Sequence, residues 1–135
     1  MVGNLQFSTT LRNARADAIT TNVGNAGKLR IYAGAIPADP GTALTSQALL
    51  VEETTASPFA AGAADGVLSP TAPSQVNVGT SGTASFYRVY KSDGTTCVIQ
   101  DTCGISAAGM VLNTITLTAG GPVLVNSWSV TEGNA

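Results

Sequence analysis

The chain has 135 residues, six Lys or Arg against eight Asp or Glu, no histidine and a formal net charge of −2. Nearly half of it is Ala, Gly, Ser or Thr. Histidine is the usual proton carrier near neutral pH and the commonest metal ligand, so its absence removes histidine triads, histidine-containing zinc sites and most general-base schemes. The few dispersed basic residues argue against direct nucleic-acid binding, and no apolar run reaches the ~20 residues of a membrane-spanning helix.

In chain order, residues 1–8 alternate loosely through Val2, Leu5 and Phe7 and read as an extended arm. The first twenty residues lack the apolar core of a secretory signal, so a cytosolic place of synthesis is expected. Thr9 or Thr10 is a candidate N-cap for a short helix over about 11–21. Leu11, Ala14, Ala18 and Ile19 recur at its three- and four-residue spacing, with Arg12, Asn13, Arg15 and Asp17 largely opposite. Gly24, Asn25 and Gly27 end it.

Everything after that reads as strand and turn. Residues 28–35 alternate Leu29, Ile31 and Ala33 against Arg30 and Tyr32. Residues 48–53 form a second strand, 67–68 and 75–78 short ones, and 83–91 the strongest. Asp93-Gly94 is a hairpin signal in which both central residues tolerate positive φ, and 96–100 returns. A second hairpin runs from 110–117 through Ala119-Gly120-Gly121-Pro122 to 123–131. Short strands with turn signals every 8–12 residues predict a single mainly β domain, a sandwich or barrel with one helix. Leu29, Ile31, Val89, Ile115, Leu117 and Trp128 are expected in its core. That core is modest for the length, and self-association is the expected supplement.

No reactive constellation emerges. Glu52 and Glu53 point to opposite faces of a strand and cannot act as a dyad. The remaining acids sit in turns without a calcium-loop pattern. Cys97 and Cys103 flank a predicted turn and lack further zinc ligands or a base partner. They are expected as reduced thiols, a later disulfide being the alternative. No phosphate loop is present. The chain therefore reads as a non-enzyme without cofactor or metal. Arg12 and Arg15, three apart on the helix, either grip acidic groups of a partner or form a solvated face. Leu5 and Phe7 either pack beneath the sandwich or dock on a neighbour.

Four segments carry a resemblance: LQFSTTLRNARADAIT (5–20), KLRIYAGAIPA (28–38), GTASFYRVYKSDGTTCVIQ (82–100) and SWSVTEGNA (127–135). Their order and spacing resemble a family of small tailed-bacteriophage virion proteins, similar to capsid decoration (cement) proteins. The resemblance implies a jelly-roll-like antiparallel β-sandwich on the outer surface of the capsid, assembled in the host cytoplasm. It implies the major capsid protein as partner and a homo-oligomer, trimer or dimer. On that reading Val2, Leu5, Phe7, Arg12 and Arg15 are the partner-binding candidates. A carbohydrate- or host-surface-binding module, or a tail or neck component, is the alternative.

Overall fold

The computed structural model of the chain describes residues 3–73 and 75–131. The helix α1 spans Thr9–Val23, two residues longer at each end than expected. Its N-cap is Ser8 rather than a threonine. The Ser8 backbone is extended, and its hydroxyl accepts the Leu11 N–H at 3.2 Å, satisfying one of the donors that every helix start leaves open. Gly24 closes the other end at φ 69°, its N–H bonded to the Thr20 carbonyl at 3.1 Å.

The helix is rotated relative to the sequence expectation. Ala16 and Val23 are its buried residues, whereas Leu11, Ala14 and Ala18 are exposed. Polar side chains seat it instead. Asn13 Oδ1 accepts the Gly66 N–H and Asp17 Oδ1 the Ala63 N–H, each at 2.7 Å. These bonds satisfy loop amides, and they outweigh a weak alanine-based apolar stripe.

Twelve short strands follow among the described residues: β1 (Lys28–Ala33), β2 (Ala48–Thr54), β3 (Val67–Leu68), β4 (Val76–Asn77), β5 (Gly82–Thr83), β6 (Phe86–Tyr90), β7 (Cys97–Gly104), β8 (Met110–Leu112), β9 (Thr116–Leu117), β10 (Pro122–Val123), β11 (Val125–Trp128) and β12 (Val130–Thr131). The protein is thus mainly β with one helix. A six-stranded sheet runs β11-β8-β7-β6-β1-β2, and three two-stranded ladders pair β10 with β4, β12 with β3 and β5 with β9. The β7–β8 pair is parallel, a departure from the expected all-antiparallel pattern.

The two hairpins differ from the sequence reading in detail. In the first, Gly94 has φ 72° while Asp93 stays at negative φ. The tight turn lies over 91–94, closed by Gly94 N–H to the Lys91 carbonyl at 3.0 Å. Asp93 supports it from outside by accepting the Thr95 and Thr96 N–H groups at 2.8 and 2.9 Å. In the second, Gly120 does form a turn, but the strands beside it separate. β8 pairs with β11, while β9 and β10 leave for β5 and β4.

The inner face of the large sheet follows the alternation. Leu29, Ile31, Tyr87, Val89 and Trp128 lie in one buried cluster with Leu68, Val76, Leu117 and Val123 from the ladders. Ile115 is only half-buried and packs at the margin of this cluster. It lies between β8 and β9, where its carbonyl accepts the Ala84 N–H at 2.8 Å. A register shift at Ile31/Tyr32 makes Leu50 the extra residue of β2, so Leu50 and Val51 are both buried despite being adjacent.

Candidate functional site

Two regions hold side chains that sequence or geometry singles out. The first is the N-terminal arm with the start of α1. Val2 lies outside the described residues. Leu5 is 77% exposed, and among the described residues no strand pairs with residues 3–8. Phe7 is half-buried, and the Arg15 guanidinium carbon sits 4.7 Å from its ring centroid, a cation–π contact that fixes the arm's base on the helix. Arg15 also borders a groove with Lys91 and Val98. Arg12 turns elsewhere, with Nη2 donating to the Asp65 carbonyl at 3.1 Å. The structure therefore brings Phe7 and Arg15 together, ties Arg12 to the 62–66 loop and leaves Leu5 outward.

The second region lies on the outer face of the sheet. Registers β2–β1, β1–β6 and β6–β7 align Glu52, Arg30, Arg88 and Gln100 in one row across four strands. Arg30 Nε donates to Glu52 Oε2 at 2.6 Å and Nη1 to the Gly94 carbonyl at 3.0 Å. Its guanidinium carbon lies 4.7 Å from the Tyr90 ring centroid. Arg88 is only 3% exposed. Nη2 donates to the Thr42 and Asp39 carbonyls at 2.7 and 3.2 Å, and Nε to Gln100 Oε1 at 3.0 Å. These bonds draw the 37–44 loop across the sheet, and Gln100 Nε2 adds one to the Pro37 carbonyl at 2.8 Å.

Tyrosines complete this face. Tyr32 stacks on Phe86 with centroids 5.2 Å apart, and the Tyr32 and Tyr90 hydroxyls are 3.5 Å apart. Burial, then the Tyr90 hydroxyl, pushes the Tyr32 phenol far above its ordinary range, with Arg30 opposing. Burial alone lowers the Arg30 guanidinium, but Glu52 and Tyr32 beside it outweigh that and hold it raised. Both groups keep their protons at neutral pH. Between the sheet and the loop lies a cavity of about 410 Å³, bordered by Arg30, Arg88, Tyr32, Tyr90 and Thr42. Among the described residues, no carboxylate side chain lines it.

No protein-family model, no curated protein and no solved structure matches this chain.

The cysteines are separated more thoroughly than the sequence implies. No turn lies between them: β7 runs continuously over Cys97–Gly104. Six residues of strand place them ~20 Å apart, well beyond disulfide reach. A register shift between Val89 and Tyr90 puts Cys97 opposite Tyr90 on the cavity face, while Cys103 is buried in the core. Burial raises both thiols, Cys97 against the opposing charge of Arg88 and Cys103 up to about 12, so neither is an activated nucleophile. Glu52 and Glu53 oppose Arg30 and Leu29 in register and do not share a site. Trp128 is buried edge-on against Phe59 and Tyr87 and offers no stacking platform for a sugar.

The arginine row was not singled out from the sequence, although a signal exists. The two most strand-like segments each carry Arg–β-branched–Tyr, as Arg30-Ile31-Tyr32 and Arg88-Val89-Tyr90. With the middle residue inward, both arginines and both tyrosines must share the outer face. Their cross-strand pairing depends on register, which the segments alone do not give.

Proposed function

We propose that this chain is a structural virion protein, a decoration protein that binds the outside of a tailed-phage capsid and stabilises the major capsid protein lattice as a homo-oligomer. The observation that carries the reading is the arm. Phe7 and Ser8 anchor its base on α1, while Leu5 and, one turn into the helix, Leu11 stay in solvent. A large apolar side chain held out in solvent gains its free energy only on meeting a partner. The four-segment resemblance to phage virion proteins supports the same partner. The finer fold on this reading is a jelly-roll-like sandwich, with the ladders as the layer over the inner face of the sheet. The chain then works by complementary surface, without catalysis or cofactor. Attachment at many equivalent lattice positions multiplies modest interfaces and opposes the outward pressure of packaged DNA.

The test is deletion of residues 2–7. The truncated protein should keep its circular dichroism spectrum and melting temperature but co-sediment more weakly with capsids that lack the protein. Unchanged attachment removes the arm as the docking device. Unfolding assigns it to the core instead.

A further inference from the structure

Two arginines facing each other across adjacent strands are ordinarily unfavourable, because like charges directly opposite repel. Here Arg30 and Arg88 are such a pair. Glu52 compensates Arg30 at 2.6 Å. The bonds of Arg88 go to two backbone carbonyls, an amide oxygen and, at 3.5 Å, the Tyr90 hydroxyl, none of which carries a formal charge. The Asp39 carboxylate is bonded to the Thr42 hydroxyl at 3.1 Å, and Asp93 serves its own turn. The row thus holds one surplus positive charge on a side chain that is almost wholly buried. These bonds satisfy the donors of Arg88 without supplying a counter-charge. Buried charges normally have a partner of opposite sign.

We propose that the cavity beneath the 37–44 loop binds a single carboxylate, as presented by an Asp or Glu side chain of a protein partner or by a free organic acid. The surplus of one charge matches a monoanion. Guanidinium groups donate only, and a protonated phenol can donate as well as accept, which suits an acceptor-only ligand. The volume of about 410 Å³ accepts a group of side-chain size. This inference stands on the outer face of the sheet and does not depend on the capsid reading.

The test follows amide shifts of the isotope-labelled full chain at low salt and pH 7 during titration with acetate, inorganic phosphate, acetyl-Ala-Glu-Ala-amide and its Gln counterpart. Expected are saturable shifts at residues 39–44 and 94–95, with the Glu peptide binding at least about tenfold tighter than the Gln peptide, as loss of a charge-assisted hydrogen bond implies. A Glu peptide tighter than acetate assigns a protein source, and equal affinities assign a free acid. R30Q should weaken the Glu peptide at least about tenfold. E52Q removes the competing carboxylate from an exposed position and should tighten it, an effect that a purely structural Arg30 does not produce. Absent saturation, equal binding of the Gln peptide, no tightening in E52Q, or phosphate binding tighter than the Glu peptide each overturns the proposal.

Discussion

Tyr87→Phe is expected to stabilise the protein, although it removes a polar group from the centre of the sheet. The ring has no solvent exposure, and neither its hydroxyl nor the neighbouring Trp128 Nε1 makes a hydrogen bond of acceptable geometry. Burial raises the phenol far above its ordinary range; the Trp128 indole beside it, the next largest influence, opposes this, and the charge of Asp101 and the thiol of Cys103 add smaller raises. An unmatched hydroxyl forfeits its bonds to water on folding, at about 1–3 kcal/mol. Phenylalanine keeps the ring and its edge contact with Trp128, at 5.5 Å between centroids and 85° between planes. The lost oxygen leaves a void of about 10 Å³, costing about 0.2 kcal/mol. The net gain is about 1–3 kcal/mol, or about 3–12 °C in melting temperature for a chain of this size. Urea titration followed by circular dichroism, with an unchanged slope, measures it. A loss of stability would show that the hydroxyl has a bonded partner in solution, buried water included, and would refute the reasoning.

Two further outcomes are expected. Trp128→Ala removes a ring that is 5% exposed and packed against Phe59 and Tyr87, and it should cost about 3–5 kcal/mol by denaturant titration. Near-native stability would place the ring outside the core. The Cys103 thiol titrates at about 12 in the fold against an ordinary 9.0, burial being the main cause and Asp101 the second. Between those values the unfolded chain loses a proton that the folded one keeps, so stability falls as pH rises, by up to about 1.4 kcal/mol per unit. Below pH 9 this contribution is fully present. Cys103→Ala should reduce the slope between pH 9 and 10, before the tyrosines enter, leaving the part that the raised Cys97 thiol contributes, and an unchanged slope there would remove Cys103 as a source.

The parts of the fold legible in the sequence are those with a long enough period. Six residues of β1 and five of β6 suffice to assign Leu29, Ile31 and Val89 inward, and an Asp-Gly pair suffices to join β6 to β7. Strands of two residues have no period, so the partners of β9, β10 and β12 depend on tertiary contacts that no local pattern encodes. The helix was legible as an element but not in its orientation. Alanines carry little apolar weight, and the decisive bonds run from Asn13 and Asp17 to a loop about fifty residues away in sequence. Of the candidate site residues, Phe7 and Arg15 meet through helix geometry, whereas Arg30 and Arg88 meet only through register.

Irregularities of register explain why the sheet has two chemically different faces despite its plain composition. The shift beside Leu50 lets β2 contribute two consecutive side chains to the interior, and the shift beside Val98 turns Cys97 outward while Cys103 stays within. β6 is buried along its whole length because the core covers Tyr87 and Val89 while the 37–44 loop covers Arg88. Only 10% of the residues are charged, yet three of them stand side by side in one row. A surface chosen only for solubility would scatter such groups, because interspersed charges serve that purpose better. Placing Arg88 beneath a loop, with Arg30 and two tyrosine hydroxyls alongside, spends scarce polar groups where water is partly excluded and each electrostatic contact counts for more. That placement separates the outer face of the sheet, where the arginine and tyrosine groups gather, from the arm, whose exposed Leu5 offers only apolar contact.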